Sequence, residues 1–145
     1  MKISILLPYK ENYSPSYPGA VSLFVYSVLK KSVYTKETTI YGSTKYKDKL
    51  SSNYINIPLS KEFLKSQSKE YVNKFIIKQK KEKPDIIEVH NRPSYINQLI
   101  ELDTNLVLYF HNDPISMDGS RSSKERVSLL NLCKKIVFNS EWSKK

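Results

Sequence analysis

The chain holds one cysteine, Cys133, and three glycines among its 145 residues. A single cysteine excludes an internal disulfide framework and any multi-cysteine metal site. Cys133 falls in an expected helix, which suits a buried structural thiol better than a nucleophile. Neither G-x-G-x-x-G nor G-x-x-x-x-G-K-[ST] occurs, which argues against a conventional dinucleotide or P-loop site. Long apolar runs are missing as well. The stretch Ile3-Ser4-Ile5-Leu6-Leu7 is too short for a secretory signal, and nothing approaches the length of a membrane-spanning helix. The expected location is therefore cytoplasmic, with at most peripheral membrane contact. No internal repeat of solenoid length is present.

What remains is the composition of one globular domain, with 39% hydrophobic and 26% charged residues, enough to build a hydrophobic core. The net charge of +10 points towards acidic partners such as anionic lipid, phosphorylated sugar or nucleic acid. A coding sequence biased towards A and T would supply the same lysines without any partner. The segment from Lys61 to Lys83 holds eight lysines against three glutamates, which would suit an anionic membrane surface. Its aromatic residues Tyr71 and Phe75 fall on the apolar stripe of the same helix, so these lysines read first as its solvated face. No recognisable DNA- or RNA-binding motif accompanies the charge, and nucleic acid is not an expected partner.

Short β-branched runs alternate with longer helical periods. Strands are expected over Ile3 to Leu7, Thr38 to Tyr41, Tyr54 to Ile57, Asp85 to Val89, Leu106 to Phe110 and Ile136 to Phe138. Between them, Val21, Phe24, Val25 and Val28 recur at helical spacing. A long helix is expected to bury Phe63, Leu64, Tyr71, Val72, Phe75 and Ile76 and to stop at Pro84. Ile96, Leu99 and Ile100 suggest a short helix. Ser122 followed by Glu125 is a capping-box signature for a helix carrying Val127, Leu130 and Cys133. Near-continuous apolar strands separated by helices argue for a parallel sheet covered on both faces, a Rossmann-like, doubly wound, three-layer αβα fold.

Two strand ends match. Val89-His90-Asn91-Arg92-Pro93 and Phe110-His111-Asn112-Asp113-Pro114 share the pattern apolar-His-Asn-x-Pro and contain both histidines of the chain. In open α/β sheets ligands sit beyond the carboxyl ends of the strands, near the point where strand order reverses. Histidine offers a titratable donor or acceptor and asparagine both hydrogen-bond senses, groups suited to sugar hydroxyls. Asn, Asp and Pro also terminate strands for purely local reasons. The repetition of the motif favours function. A metal site from His111 and Asp113 lacks a third ligand at suitable spacing. Glu88 and His90 share a face of their strand, so the carboxylate is placed to orient the imidazole, or to pair with a neighbouring lysine. Gly19 opens the first helix, whose free N–H groups would hold a phosphate; a glycine is equally explained by the conformation of the turn.

The series Lys2 to Pro8, Pro18-Gly19-Ala20, Pro84-Asp85-Ile86-Ile87-Glu88-Val89-His90, His111-Asn112 and Ile136-Val137-Phe138-Asn139-Ser140-Glu141 resembles, in order and spacing, the N-terminal domain of family 4 glycosyltransferases of the GT-B fold. The resemblance spans essentially the whole chain. It implies a single acceptor-side domain over residues 1–145, with the donor-binding C-terminal domain absent. It implies transfer of a sugar from a nucleotide-sugar donor to a glycan or lipid-linked acceptor, with retention and without a metal or other cofactor. By the same resemblance His111 lines the catalytic cleft, His90, Asn91, Asn112 and Asp113 bind the acceptor, and Gly19 with Ala20 approach the donor diphosphate. Ala20 stands where the family usually has a second glycine.

The competing expectation is a non-catalytic α/β module that binds a phosphorylated small molecule or a partner protein. A receiver-type signalling domain is disfavoured because the first strand ends Leu7-Pro8-Tyr9, without the acidic cluster that such domains use to hold a cation.

Overall fold

Every backbone N–H and C=O of the six apolar runs must find a partner, and the computed structural model, which describes residues 1–61 and 66–144, shows how. The runs form β1 (Ile3–Leu6), β2 (Thr38–Gly42), β3 (Tyr54–Asn56), β4 (Ile86–His90), β5 (Asn105–Phe110) and β6 (Lys135–Phe138). They pair in the order β3-β2-β1-β4-β5-β6, and every pairing is parallel. Among the described residues four α-helices intervene, α1 (Ala20–Leu29), α2 (Gln67–Glu82), α3 (Ile96–Leu99) and α4 (Ser123–Leu132), and α5 (Glu141–Lys144) follows β6. This is the Rossmann-like αβα arrangement expected from the alternation of runs. Each strand lies within a residue or two of its expected position.

Strand order reverses between β1 and β4, which run parallel with Ile3 opposite Ile86 and Leu6 opposite Val89. That junction is the switch point at which a doubly wound sheet opens a crevice. On one face Ile3, Ile5, Leu7 and Ile40 pack against Val21, Val25 and Leu29 of α1. On the other, Leu6, Tyr41, Ile87, Val89, Leu106, Leu108 and Phe110 pack against α2, α3 and α4 through Tyr71, Phe75, Ile76, Ile96, Leu99 and Leu129.

The two faces are covered unequally. β1 is buried throughout, whereas along β5 burial alternates: Leu106, Leu108 and Phe110 are buried, and Val107 and Tyr109 only partly so. The expected cover on both faces therefore holds for the β1 side of the sheet and is thinner over β5 and β6, where alternate residues on the α1 face are only partly buried.

Helix limits follow local chemistry. The Ser66 hydroxyl caps α2 by accepting from the Lys69 N–H, and Lys83 ends the helix in the left-handed region before Pro84 forbids another turn. Tyr71 and Phe75 are fully buried, so the lysines of α2 lie on its outer side; Phe63 and Leu64 lie outside the described residues. The Tyr71 hydroxyl donates to the Leu7 carbonyl at 2.7 Å, and the buried Ser4 hydroxyl donates to Oε1 of Gln79 at 2.7 Å. These two bonds fix α2 across the end and the middle of β1.

The Ser122–Glu125 capping box forms as expected. The apolar side of α4 differs from expectation: Leu129 is buried, while Val127 and Leu130 are exposed. Cys133 lies just past the helix as its cap rather than within it, half-buried, and burial pushes its thiol up to about 11. Among the described residues no helix is long and apolar enough to cross a membrane.

Phe75 meets Tyr41 edge-on, ring centroids 5.2 Å apart, in the interior between α2 and the sheet. Phe75→Ala is expected to cost about 3–5 kcal/mol of stability, as truncation of a buried aromatic does, read as a lowered urea midpoint at unchanged slope.

Candidate functional site

The register of β4 on β5 places His90 opposite Tyr109. Side chains on one face of a strand recur every second residue, so Glu88, His90, Tyr109 and His111 share the face that α1 covers incompletely. The two imidazoles meet there: Nδ1 of His90 lies 2.9 Å from Nε2 of His111. Nε2 of His90 lies 3.4 Å from Oε2 of Glu88. The Tyr109 ring stacks parallel on His90, centroids 5.0 Å apart, and Phe24 of α1 presents its edge to His111 at 4.8 Å. A narrow, mostly apolar cleft between α1 and the sheet reaches this cluster, with Ile5, Phe24, Val28, Glu88, His90 and Tyr109 on its walls.

His90 is 2% exposed; His111 is only partly buried. Desolvation, and secondly the neighbouring His90, lower the His111 pKa to about 4. The Tyr109 hydroxyl is shifted upward, first by burial and then by the charge of Glu88. A neutral His111 at physiological pH is a hydrogen-bonding group for a hydroxyl rather than a cation for a phosphate.

The shared Asn of the two motifs divides into two roles. Asn91 takes φ of 57°, a left-handed conformation that asparagine tolerates better than most residues. Its Oδ1 accepts from the backbone N–H of His111 at 3.2 Å and of Asn112 at 3.3 Å, clamping the ends of β4 and β5 together. The amide of Asn139 donates to the His111 carbonyl at 2.7 Å and extends the clamp to the end of β6. Asn112 is exposed and shares with Asn91, Arg92, Met117 and Asp118 a second cavity of about 260 Å³. Asp113 caps the short 3-10 turn Pro114–Ser116, its Oδ1 accepting from the Ile115 N–H at 3.1 Å. The five strand-end residues thus separate into an imidazole pair with one buried and one half-buried ring, a structural clamp, one open amide and a turn cap.

Gly19 and Ala20 stand where the sequence suggests a donor phosphate, and the structure places another anion there. Oε1 of Glu11 accepts from the Ser22 N–H at 2.9 Å at the first turn of α1, satisfying a free N–H and the helix dipole. A Cβ on Gly19 would come within 1.9 Å of that carboxylate oxygen. Gly19 has φ of −77°, so close approach of Glu11 rather than backbone conformation calls for glycine. Sequence reading missed Glu11 because the residue lies 11 positions from Ser22, beyond the reach of local capping rules. Among the described residues, no three His, Cys, Asp or Glu side chains converge as a metal site requires.

No protein-family model and no curated protein matches this chain.

Two predictions follow from this geometry. Glu11→Ala removes the cap of α1 and should lower stability by about 1 kcal/mol, measured by urea unfolding. Because His111 is harder to protonate folded than unfolded, the unfolded chain binds more protons between about pH 6.5 and pH 4. Stability from this residue is therefore complete above the unfolded value and falls as the pH drops through that window. His111→Gln should flatten that part of a stability–pH profile; an unchanged profile would contradict a desolvated imidazole.

Proposed function

We propose that this chain is the acceptor-side domain of a nucleotide-sugar-dependent glycosyltransferase of the GT-B type, with the cleft at His90 and His111 receiving a hydroxyl of a saccharide or lipid-linked acceptor. The observation that carries the reading is the meeting of the chain's two histidines, 2.9 Å apart, beyond the carboxyl ends of β4 and β5 and beside the strand-order switch between β1 and β4. Ligands collect at that place in a doubly wound sheet. The neutral His111 offers a hydrogen bond to a hydroxyl, and the rings of Phe24 and Tyr109 offer apolar faces for the C–H side of a sugar. The order of motifs along the chain supports the same family of reactions. Catalysis on this reading needs a second domain to hold the nucleotide-sugar donor, and this domain alone would be a poor catalyst. A cytoplasmic site, with contact to an anionic membrane through the lysine-rich exterior, is part of the same proposal.

The second reading is a non-catalytic α/β module for a phosphorylated small molecule or a partner protein, and one observation favours its partner-protein form. Glu11 already fills the α1 N-terminus, so a phosphate would have to displace a carboxylate to bind there. On the acceptor-side reading the same fact makes the α1 N-terminus a poor place for the donor phosphate.

Titration by calorimetry and saturation-transfer NMR with a panel of oligosaccharides, phosphosugars and nucleotide sugars separates the two readings. The expected result is saccharide binding that His111→Ala weakens about tenfold, the equivalent of one lost hydrogen bond. Failure of every sugar in the panel to bind, or binding indifferent to His111, would sink the glycosyltransferase reading.

A further inference from the structure

We propose that Glu88, His90 and His111 form a proton relay, in which a proton taken up at Nδ1 of His111 from an acceptor hydroxyl leaves its charge on His90, against Glu88. The relay rests on the reading above for the identity of the proton donor; its wiring stands on geometry alone.

The wiring follows from which atoms can donate. An ionised carboxylate only accepts, so the His90 nitrogen facing it at 3.4 Å, Nε2, carries the hydrogen. A neutral imidazole has one N–H, which leaves Nδ1 of His90 with a lone pair. The 2.9 Å contact from that lone pair to Nε2 of His111 then requires the hydrogen on Nε2 of His111. Nδ1 of His111 is left as the basic atom of the chain. The opposite assignment would aim the lone pair of His90 at a negative oxygen.

As an isolated base His111 is poorly suited to hold a proton, since desolvation and the adjacent imidazole lower its pKa to about 4. The relay removes that difficulty. As the acceptor O–H bond breaks, an N–H bond forms at Nδ1 of His111; the N–H at Nε2 of His111 breaks as one forms at Nδ1 of His90. The acceptor oxygen keeps its bonding pair, which goes into the new bond to the donor sugar as the leaving group departs with its own. No atom changes oxidation state, and the proton returns to solvent by the reverse path. The cation so produced sits on His90, whose Nε2–H faces Glu88 and whose ring lies parallel to that of Tyr109, the planes 5° apart.

The surroundings are consistent with one route. On β4 the charged neighbour is Glu88; β5 contributes Tyr109, whose hydroxyl is shifted upward by burial first and by Glu88 second. The contact from α1 is the uncharged ring of Phe24, and beside β6 the Asn139 amide is occupied with the His111 carbonyl. His90 is 2% exposed and reaches solvent poorly, so the more open His111 is the entry.

Imidazole ¹⁵N NMR of the histidine-labelled protein tests the relay without any substrate. At neutral pH both rings are expected in the Nε2–H form. On acidification the first proton taken up by the pair should put the charge on His90 while His111 switches to its Nδ1–H form at the same pH. Glu88→Ala should lower the Nε2–H to Nδ1–H ratio of His111 about tenfold, one hydrogen bond to a charged group. Glu88→Met, close in size and without a strong acceptor, should do the same if the alanine variant unfolds. A neutral-pH Nδ1–H on either ring, a first proton resting on His111, or variants that leave the ratio unchanged would each overturn the relay. Loss of the relay with saccharide binding intact would leave His111 as a binding contact only. An intact relay with no saccharide bound would remove the glycosyltransferase reading and keep the proton path.

Discussion

The parallel pairing of β4 with β5, locked at its carboxyl end by Asn91, is the contact on which the site depends. With His90 opposite Tyr109, the next residue on the same face of β5 is His111, and it reaches back to His90 at 2.9 Å. A slip of one residue would send His111 to the opposite face. Asn91 opposes that slip by turning into the left-handed region and offering one oxygen to two successive N–H groups of the neighbouring strand. The Val89-His90-Asn91 copy of the motif therefore combines two functions in adjacent positions. The histidine lies in the cleft, and the asparagine holds the strand end that presents it.

The unequal cover of the sheet explains why polar groups collect where they do. Under α2 and α3 the face is apolar, and the buried Ser4 hydroxyl there is paired with Oε1 of Gln79. On the other face α1 covers β1 and β2 but leaves β4 to β6 half open, and Glu88, Tyr109 and His111 sit on that half. A carboxylate and two imidazoles are tolerated there because each has a partner and solvent remains near. Enough water is excluded to lower the His111 pKa, while enough access remains for a ligand to arrive.

Glu11 sets the electrostatic character of the crevice. Its carboxylate takes the position at the head of α1 that an anionic ligand would otherwise favour, and glycine at position 19 is the space it needs. The chain is strongly basic as a whole, with a net charge of +10, but the charge is carried on outer surfaces such as the exposed side of α2. The cleft itself is lined mostly by apolar side chains and rings, with the Glu88 carboxylate and the His90 imidazole among them. Association with acidic partners and recognition within the cleft are thus governed by different surfaces.

The period of the apolar residues determined the strands, the main helices and the parallel, doubly wound order, because burial of those runs leaves few alternatives. Pro84 and the Ser122–Glu125 pair set helix limits through local backbone chemistry, and both acted as the sequence indicated. Which face each side chain of α4 presents was not legible: Val127 and Leu130 are apolar yet exposed, and Leu130 lines an open, mostly apolar cavity with Ile136, Phe138 and Trp142. The two His-Asn motifs were visible as candidates. Their division into imidazole pair, clamp, open amide and turn cap was decided by the register of β4 on β5, a relation between residues about 20 positions apart. The filling of the α1 N-terminus by Glu11 belongs to the same class. Local sequence determines what a segment can form and where it stops; which groups meet is decided by strand order and by which helix covers which face.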